Sequence, residues 1–182
     1  MAHLDTTELH RHEHTLDGEH PINVGGHVHQ FEDRESGLPF SSFESTTRIG
    51  QIPALVAYLR RKAVSPSYII FSTHRPDVDG EDDDQAINLQ FAVENGVLGL
   101  EWVLVMRRNI EDKRKVMAFI KRRGHEVLER ELNGIRYFRV ENGDLPKLGN
   151  EILSDVYGVQ PDTQLGLFSR WITWPPSWRA FN

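Results

Sequence analysis

The chain has 182 residues, of which 38% are apolar and 26% charged, with a formal net charge of -6. This composition predicts one domain with flanking tails in a cytoplasmic protein, and the negative charge disfavours nucleic acid as a partner. The absence of cysteine excludes disulfides, thiolate catalysis and zinc-thiolate sites. No run approaches the roughly 18 apolar residues of a spanning helix, and no secretory signal is recognised, so we expect no membrane attachment.

Residues 1–45 differ in composition from the chain that follows. They contain seven of the nine histidines and no sustained apolar period. Such a segment buries too little surface to offset chain entropy, so a flexible arm is predicted. Neutral imidazoles ligate zinc, nickel and copper, and the candidate ligands are His10, His12, His14, His27 and His29. A catalytic metal site is disfavoured, because no predicted helix or strand holds these ligands. An arm without function, or one that binds a divalent metal adventitiously, fits the sequence better.

The core, predicted to span residues 46–168, begins with a helix and a strand. Apolar residues recur at helical spacing from Ile49 to Leu59, and Pro66 ends this helix. Residues 67–73 are rich in aromatic and β-branched side chains, which favour a buried strand.

Two further apolar runs predict an antiparallel hairpin. Apolar residues alternate with small or polar ones from residue 85 to 93, and a second alternating run extends from 97 to 106. The Asn95-Gly96 dipeptide between the runs readily adopts the positive φ angles of a tight turn. Trp102, on the apolar face of the second run, is a candidate contact for a partner.

The next segments predict a helix, a second hairpin and a last helix. Asn109 is expected to cap a basic amphipathic helix, and Asp144 to cap a helix that ends at Gly158. Asn133-Gly134 is the strongest short hairpin signal in the chain. The order α-β-β-β-α-β-β-α predicts an α+β fold with a five-stranded, mainly antiparallel sheet and helices on one face.

This order resembles the fold of type III secretion chaperones and of the related YbjN-like and actinobacterial type VII secretion chaperone-like domains. The stretch 135–145 running into 152–159 is similar to the last strand and last helix of those domains. The similarity covers about residues 48–168. It implies a protein that binds other proteins and needs no cofactor, whereas the His-rich arm and the Trp-rich end depart from the pattern.

Two charged segments are candidate electrostatic sites. The first contains six acids in eight positions: Asp77, Asp79, Glu81, Asp82, Asp83 and Asp84. A solvated loop, a divalent-cation site and an acidic docking surface all fit it, although Gly80 comes too early for an EF-hand. The second, residues 107–123, carries eight Lys or Arg against two acids. It fits a solvated helix face or a protein-docking face better than a nucleic-acid contact, because no stacking platform accompanies it.

Residues 169–182 form a predicted tail that is rich in tryptophan and proline. Aromatic area at this density is costly to leave in water, so the tail either packs back on the domain or contacts a second chain. Tryptophan is enriched at binding hot spots. The candidate partner-binding residues are Trp102, Trp171, Trp174, Trp178 and Phe181.

Enzyme motifs are weak in this sequence, and no catalytic residue is assigned. Ser72, His74 and Asp77 are neighbours on one strand and loop, which is not how a catalytic triad converges. The first choice is a non-enzymatic module that binds another protein or self-associates as a homodimer, without a cofactor. The alternatives are a small metal-dependent hydrolase or nuclease, and an immunity or inhibitor protein that blocks a toxin with its acidic loop.

Overall fold

The structure is a computed structural model that describes residues 27–32, 39–64, 66–73, 85–172 and 174. Within these ranges the chain forms strands β1 (His27–Glu32), β2 (Pro39–Arg48), β3 (Ser67–Thr73), β4 (Ile87–Glu94), β5 (Val97–Val103), β6 (Leu128–Leu132), β7 (Ile135–Val140) and β8 (Gln164–Arg170). The helices are α1 (Ile52–Lys62), α2 (Arg107–Arg122) and α3 (Leu145–Glu151). A short 3-10 helix, Ile49–Gln51, precedes α1, and a π-helical turn, Ile152–Val156, continues α3.

All pairs that these strands form are antiparallel. The strand order is β1-β2-β8-β3-β4-β5-β7-β6, so β8 inserts between β2 and β3. The two predicted hairpins, β4–β5 and β6–β7, are present. Asn95 and Gly96 have φ of 50° and 80°, and Asn133 and Gly134 have φ of 51° and 78°. Positive φ at both central residues matches the twist of the paired strands and fixes their register.

The α+β class is confirmed, but the described sheet has eight strands rather than the five predicted. The predicted boundary at residue 45 falls inside β2, and the predicted end of the core at 168 falls inside β8. Local composition hid these strands, since β2 begins with proline and is rich in serine, and β8 is interrupted by Gly166. β2 pairs with β8, and β8 pairs with β3, so both strands belong to the sheet.

The core lies between the helices and one face of the sheet. Ile69, Phe91 and Leu100 are register neighbours on β3, β4 and β5, and all three are fully buried. The buried side chains of the helices, such as Leu55 and Ile120, join the same cluster. Among the described residues no helix packs on the other side of the sheet, which we call the helix-free face.

A buried asparagine anchors the start of α2. Asn109 was predicted as the cap, but α2 begins at Arg107, and the fully buried Asn109 bonds to the strands instead of to its own helix. Its Nδ2 donates to the carbonyls of Asn88 (2.8 Å) and Val103 (3.0 Å), and its Oδ1 accepts from Asn88 N (3.2 Å). Its carbonyl accepts from Trp102 Nε1 at 2.8 Å. These bonds join β4, β5 and α2.

We expect Asn109→Ala to lower the free energy of unfolding by about 2 to 4 kcal/mol, because it leaves polar backbone groups of β4 and β5 unpaired. The matched control is Asn142→Ala, which removes one exposed hydrogen bond from Glu126 N and should cost less than about 1 kcal/mol. Urea unfolding followed by circular dichroism measures both losses. Equal losses would contradict the anchoring role of Asn109.

Candidate functional site

A row of polar side chains crosses the middle of the helix-free face. Gln90 of β4 pairs in register with Glu101 of β5, and Glu101 pairs with Arg139 of β7. Paired residues point to the same face, so the three side chains meet. Gln90 Nε2 and Arg139 Nη1 each donate to a different oxygen of the Glu101 carboxylate. We call these three residues the polar row.

The guanidinium of Arg139 is the centre of this arrangement. It is fully buried, and its Nε donates to Glu141 Oε1 at 2.6 Å while its Nη2 donates to the Val97 carbonyl at 2.7 Å. Glu94 Oε2 lies 3.6 Å from Nη1. The group lies against Gly99, where a β-carbon would overlap the guanidinium carbon. Only glycine leaves space for a buried arginine at this point of the sheet.

Three carboxylates, those of Glu94, Glu101 and Glu141, surround this single cation. Burial raises the pKa of Glu101 from its ordinary value of 4.5 to about 7 against the attraction of Arg139, and the charge of Glu94 adds to the rise. Burial and a 3.0 Å hydrogen bond to Glu94 raise the pKa of Tyr137 to about 12. Burial would lower the pKa of Arg139, but its carboxylate partners hold that pKa above its usual value, so Arg139 stays charged.

The folded chain holds the proton of Glu101 more tightly than the unfolded chain does. The stabilisation from this group is therefore complete below about pH 4.5 and is lost as the pH rises through about 7. Relative to Glu101→Gln, which stays neutral, the wild type should lose on the order of 1 to 3 kcal/mol of unfolding free energy between roughly pH 5 and pH 8. Urea unfolding of both proteins across this range measures the difference. A difference independent of pH would refute the raised pKa.

One end of the helix-free face is apolar. Leu132 of β6 pairs with Ile135 of β7, and Val105 follows β5 two residues beyond the pair of Val103 and Tyr137. Leu132, Val105 and Ile135 are 60%, 54% and 43% exposed. Val105 also lines a pocket of about 220 Å³, whose other walls are Ile70, Asn88, Gln90, Val103 and Met106. We call Leu132, Ile135 and Val105, together with this pocket, the apolar end.

Two of the predicted partner-binding tryptophans lie inside the domain. Trp102 is fully buried and stacks on Tyr157 with the ring centroids 6.1 Å apart. Trp174 is only 2% exposed, stacks on Tyr58 of α1 at 5.1 Å and donates from Nε1 to Ser169 Oγ at 2.7 Å. Neither side chain offers surface to a partner in this structure. For Trp174, the alternative that the tail packs back on the domain is the one observed.

Trp171 is half-buried and has a φ of 63°, which a bulky residue rarely adopts. The guanidinium of Arg170 lies 5.7 Å from its ring. Ser67 Oγ donates to the Trp171 carbonyl at 2.8 Å. The chain thus turns at Trp171, immediately after β8, and directs Trp174 towards α1.

We expect Trp174→Ala to lower the free energy of unfolding by about 3 to 5 kcal/mol, because it empties a buried site. Trp174→Phe keeps an aromatic ring against Tyr58 and loses the bond to Ser169, so it should cost roughly half as much or less. Thermal unfolding of the two variants separates ring packing from the hydrogen bond. A Trp174→Ala protein as stable as the wild type would show that the tail does not belong to the core.

The remaining predicted site residues fall outside the described part of the chain. They are His10, His12, His14, the acidic segment 77–84, Trp178 and Phe181. His27 and His29 lie in β1, of which the structure describes only the backbone. Within the described residues no group of three or more His, Cys, Asp or Glu could hold a metal ion. The metal and acidic-loop hypotheses therefore stay predictions.

Several cations of the basic segment bind to the domain itself. Lys115 Nζ donates to the Val156 carbonyl at 2.9 Å, and Arg123 Nη2 lies 2.8 Å from Asp155 Oδ2. Arg107 pairs with Glu111 on α2 at 2.8 Å. The contacts of Lys115 and Arg123 dock α2 against the π-helical turn that follows α3, and part of the basic face of α2 stays in solvent.

Sequence reasoning missed both the polar row and the apolar end. The residues of the polar row alternate with apolar residues that the sequence pattern assigned to the core. The only local signal of the row was Gly99, two residues before Glu101. Leu132 and Ile135 flank the Asn133-Gly134 turn and looked like ordinary strand residues. Both features depend on the pairing of β5 with β7, which no local pattern reveals.

No family model, curated protein or solved structure matches this chain. The resemblance to secretion chaperone-like domains therefore remains a prediction from the sequence. No helix in the described ranges is long and apolar enough to cross a membrane. The chemistry of the helix-free face is thus the main guide to function.

Proposed function

We propose that the chain is a non-enzymatic protein-binding module that self-associates through the apolar end of its helix-free face. The observation that carries this proposal is the exposure of Leu132 and Ile135, which are paired neighbours on the helix-free face, and of Val105 at the same end of the sheet. Scattered exposed aliphatic residues are ordinary, but neighbouring ones beside a pocket are typical of contact surfaces.

The size of the pocket favours a side chain as its occupant. At about 220 Å³ it is smaller than the usual site for a small molecule, which spans roughly 300 to 1,000 Å³. Its walls include Ile70, Val103 and Met106, and Gln90 of the polar row lies at its edge. An aliphatic or aromatic anchor of a partner protein would fill it, as anchors do at the centre of interfaces.

The charges of the neighbouring hairpin favour a second copy of the chain as the partner. In the exposed hairpin β6–β7, Arg130 shares the face of Leu132 and Ile135, whereas Glu129, Glu131 and Arg136 point to the opposite face along the edge of the sheet. A two-fold interface places one surface against itself, so the edge of one copy that carries both signs of charge lies beside the same edge of the other copy. The polar row lies beside this surface on the same face and supports it, because a satisfied buried network holds its strands rigidly.

This proposal is in line with the secretion chaperone-like domains that the sequence resembles. The order α-β-β-β-α-β-β-α runs from α1 to α3. In such a module the sheet is the platform, and a second polypeptide is bound through apolar contacts without a cofactor.

Val105→Asp should weaken self-association by at least roughly tenfold, because it buries a carboxylate in the centre of the apolar end. The matched control is Val64→Asp: Val64 is 73% exposed, lies between α1 and β3, and is not part of the apolar end. Both valines lie outside helices and strands, so neither change breaks a regular element. Sedimentation velocity over a range of concentrations measures association, and circular dichroism reports folding.

Two outcomes would sink the proposal. The first is a wild-type chain that stays monomeric at every concentration. The second is a dimer that Val64→Asp weakens as much as Val105→Asp does, since the contact would then not lie at the apolar end.

A further inference from the structure

A larger cleft lies at the opposite end of β5. It has a volume of about 600 Å³ and is enclosed by α1, the β4–β5 turn and the loop from β7 to α3. Val56 and Leu145 are buried and Leu98 is half-buried, and together they supply its apolar floor. From the turn at Gly96 to Val105 the chain extends for about 30 Å at strand spacing, so the cleft is remote from the apolar end.

Charged groups stand on two walls of this cleft. Arg60 lies on the α1 wall, is exposed and has no ion-pair partner among the described residues. Glu141 and Asp144 line the opposite wall. The cleft therefore combines an unpaired cation, two carboxylates and an aliphatic floor.

Existing hydrogen bonds orient both carboxylates. Glu141 Oε1 accepts from Arg139 Nε at 2.6 Å, and Asp144 Oδ1 accepts from Lys147 N at 3.1 Å. Each of these bonds uses one oxygen and leaves the other oxygen of that carboxylate for a ligand. The wall is thus prepared to accept hydrogen bonds from a cationic group without losing its own structure.

We infer that this cleft binds a short aliphatic peptide with free termini. The peptide carboxylate pairs with Arg60, its ammonium group bonds to Glu141 and Asp144, and its side chains cover the floor. Along α1 the cleft extends from Pro53 to Arg60, about 10 Å at helical rise, which is the length of two or three extended residues. This site is independent of the proposed self-association, because it uses other residues at the other end of the sheet.

The test is a methyl NMR titration of the full chain with the peptide Ala-Leu-Ala. We expect saturable shifts of the methyl groups of Val56, Leu98 and Leu145. Arg60→Ala should weaken binding about tenfold, the effect of one charge-assisted pair. Arg61→Ala is the matched control, since Arg61 is also exposed in the last turn of α1 but does not line the cleft, and it should bind like the wild type.

Two chemical probes locate the termini of the peptide. The C-terminal amide of Ala-Leu-Ala should bind the wild type about tenfold more weakly than the free acid does. Arg60→Ala should bind the amide and the free acid equally, because amidation and the substitution remove the same ion pair. N-acetylation of the peptide should weaken its binding to both the wild type and Arg60→Ala. Free leucine, which lacks the flanking residues of the tripeptide, should bind more weakly than the tripeptide.

The inference is overturned if the three floor residues show no saturable shift with the peptide. It is also overturned if Arg60→Ala and Arg61→Ala weaken binding equally, or if the amide binds as well as the free acid. Inorganic phosphate that shifts the floor methyl groups, while the peptide does not, would replace it with a simple anion site. Circular dichroism of both arginine variants confirms that each is folded.

Discussion

The pairing of β5 with β7 is held by a buried ion pair between Glu101 and Arg139. Such a pair contributes little net stability, because desolvation offsets its attraction, but a structure that separates its members is strongly disfavoured. A shift of one residue in this register would turn Arg139 towards the apolar core and leave both charges unpaired. The pair therefore selects one register among the alternatives. That register places Val105, two residues after Val103, and Ile135, two residues before Tyr137, at the same end of the sheet.

The same cluster connects the two ends of the molecule. Glu141, on the wall of the cleft, is held by Arg139, whose other donors bind within β5 and its neighbours. Asn109 supplies a second buried polar contact, which fixes α2 to β4 and β5. Aliphatic packing fills the space between these points but tolerates sliding, whereas directional hydrogen bonds do not. Specificity in this fold thus comes from a few buried polar groups.

Local chemistry predicted the parts of the fold that short segments determine. The turns at Asn95-Gly96 and Asn133-Gly134 and the cap at Asp144 all formed as expected, since each needs only neighbouring residues. Long-range pairing escaped prediction. β8 enters the sheet beside β3 almost a hundred residues away, and the side chain of Asn109 bonds to strands instead of capping its helix. The candidate site escaped for the same reason, because the polar row exists only once three strands are in register.

The edge of the sheet at β6 limits how copies of the chain can assemble. Open strand edges invite further strands, and an uninterrupted series of such additions produces fibrils. Glu129, Arg130 and Glu131 occupy the middle of this edge and are exposed. Two copies of β6 joined antiparallel about Arg130 would bring the two arginines opposite each other, which is repulsive. Like charges thus disfavour the addition of a second β6 strand in that register, while the adjacent Leu132 and Ile135 stay exposed on the helix-free face.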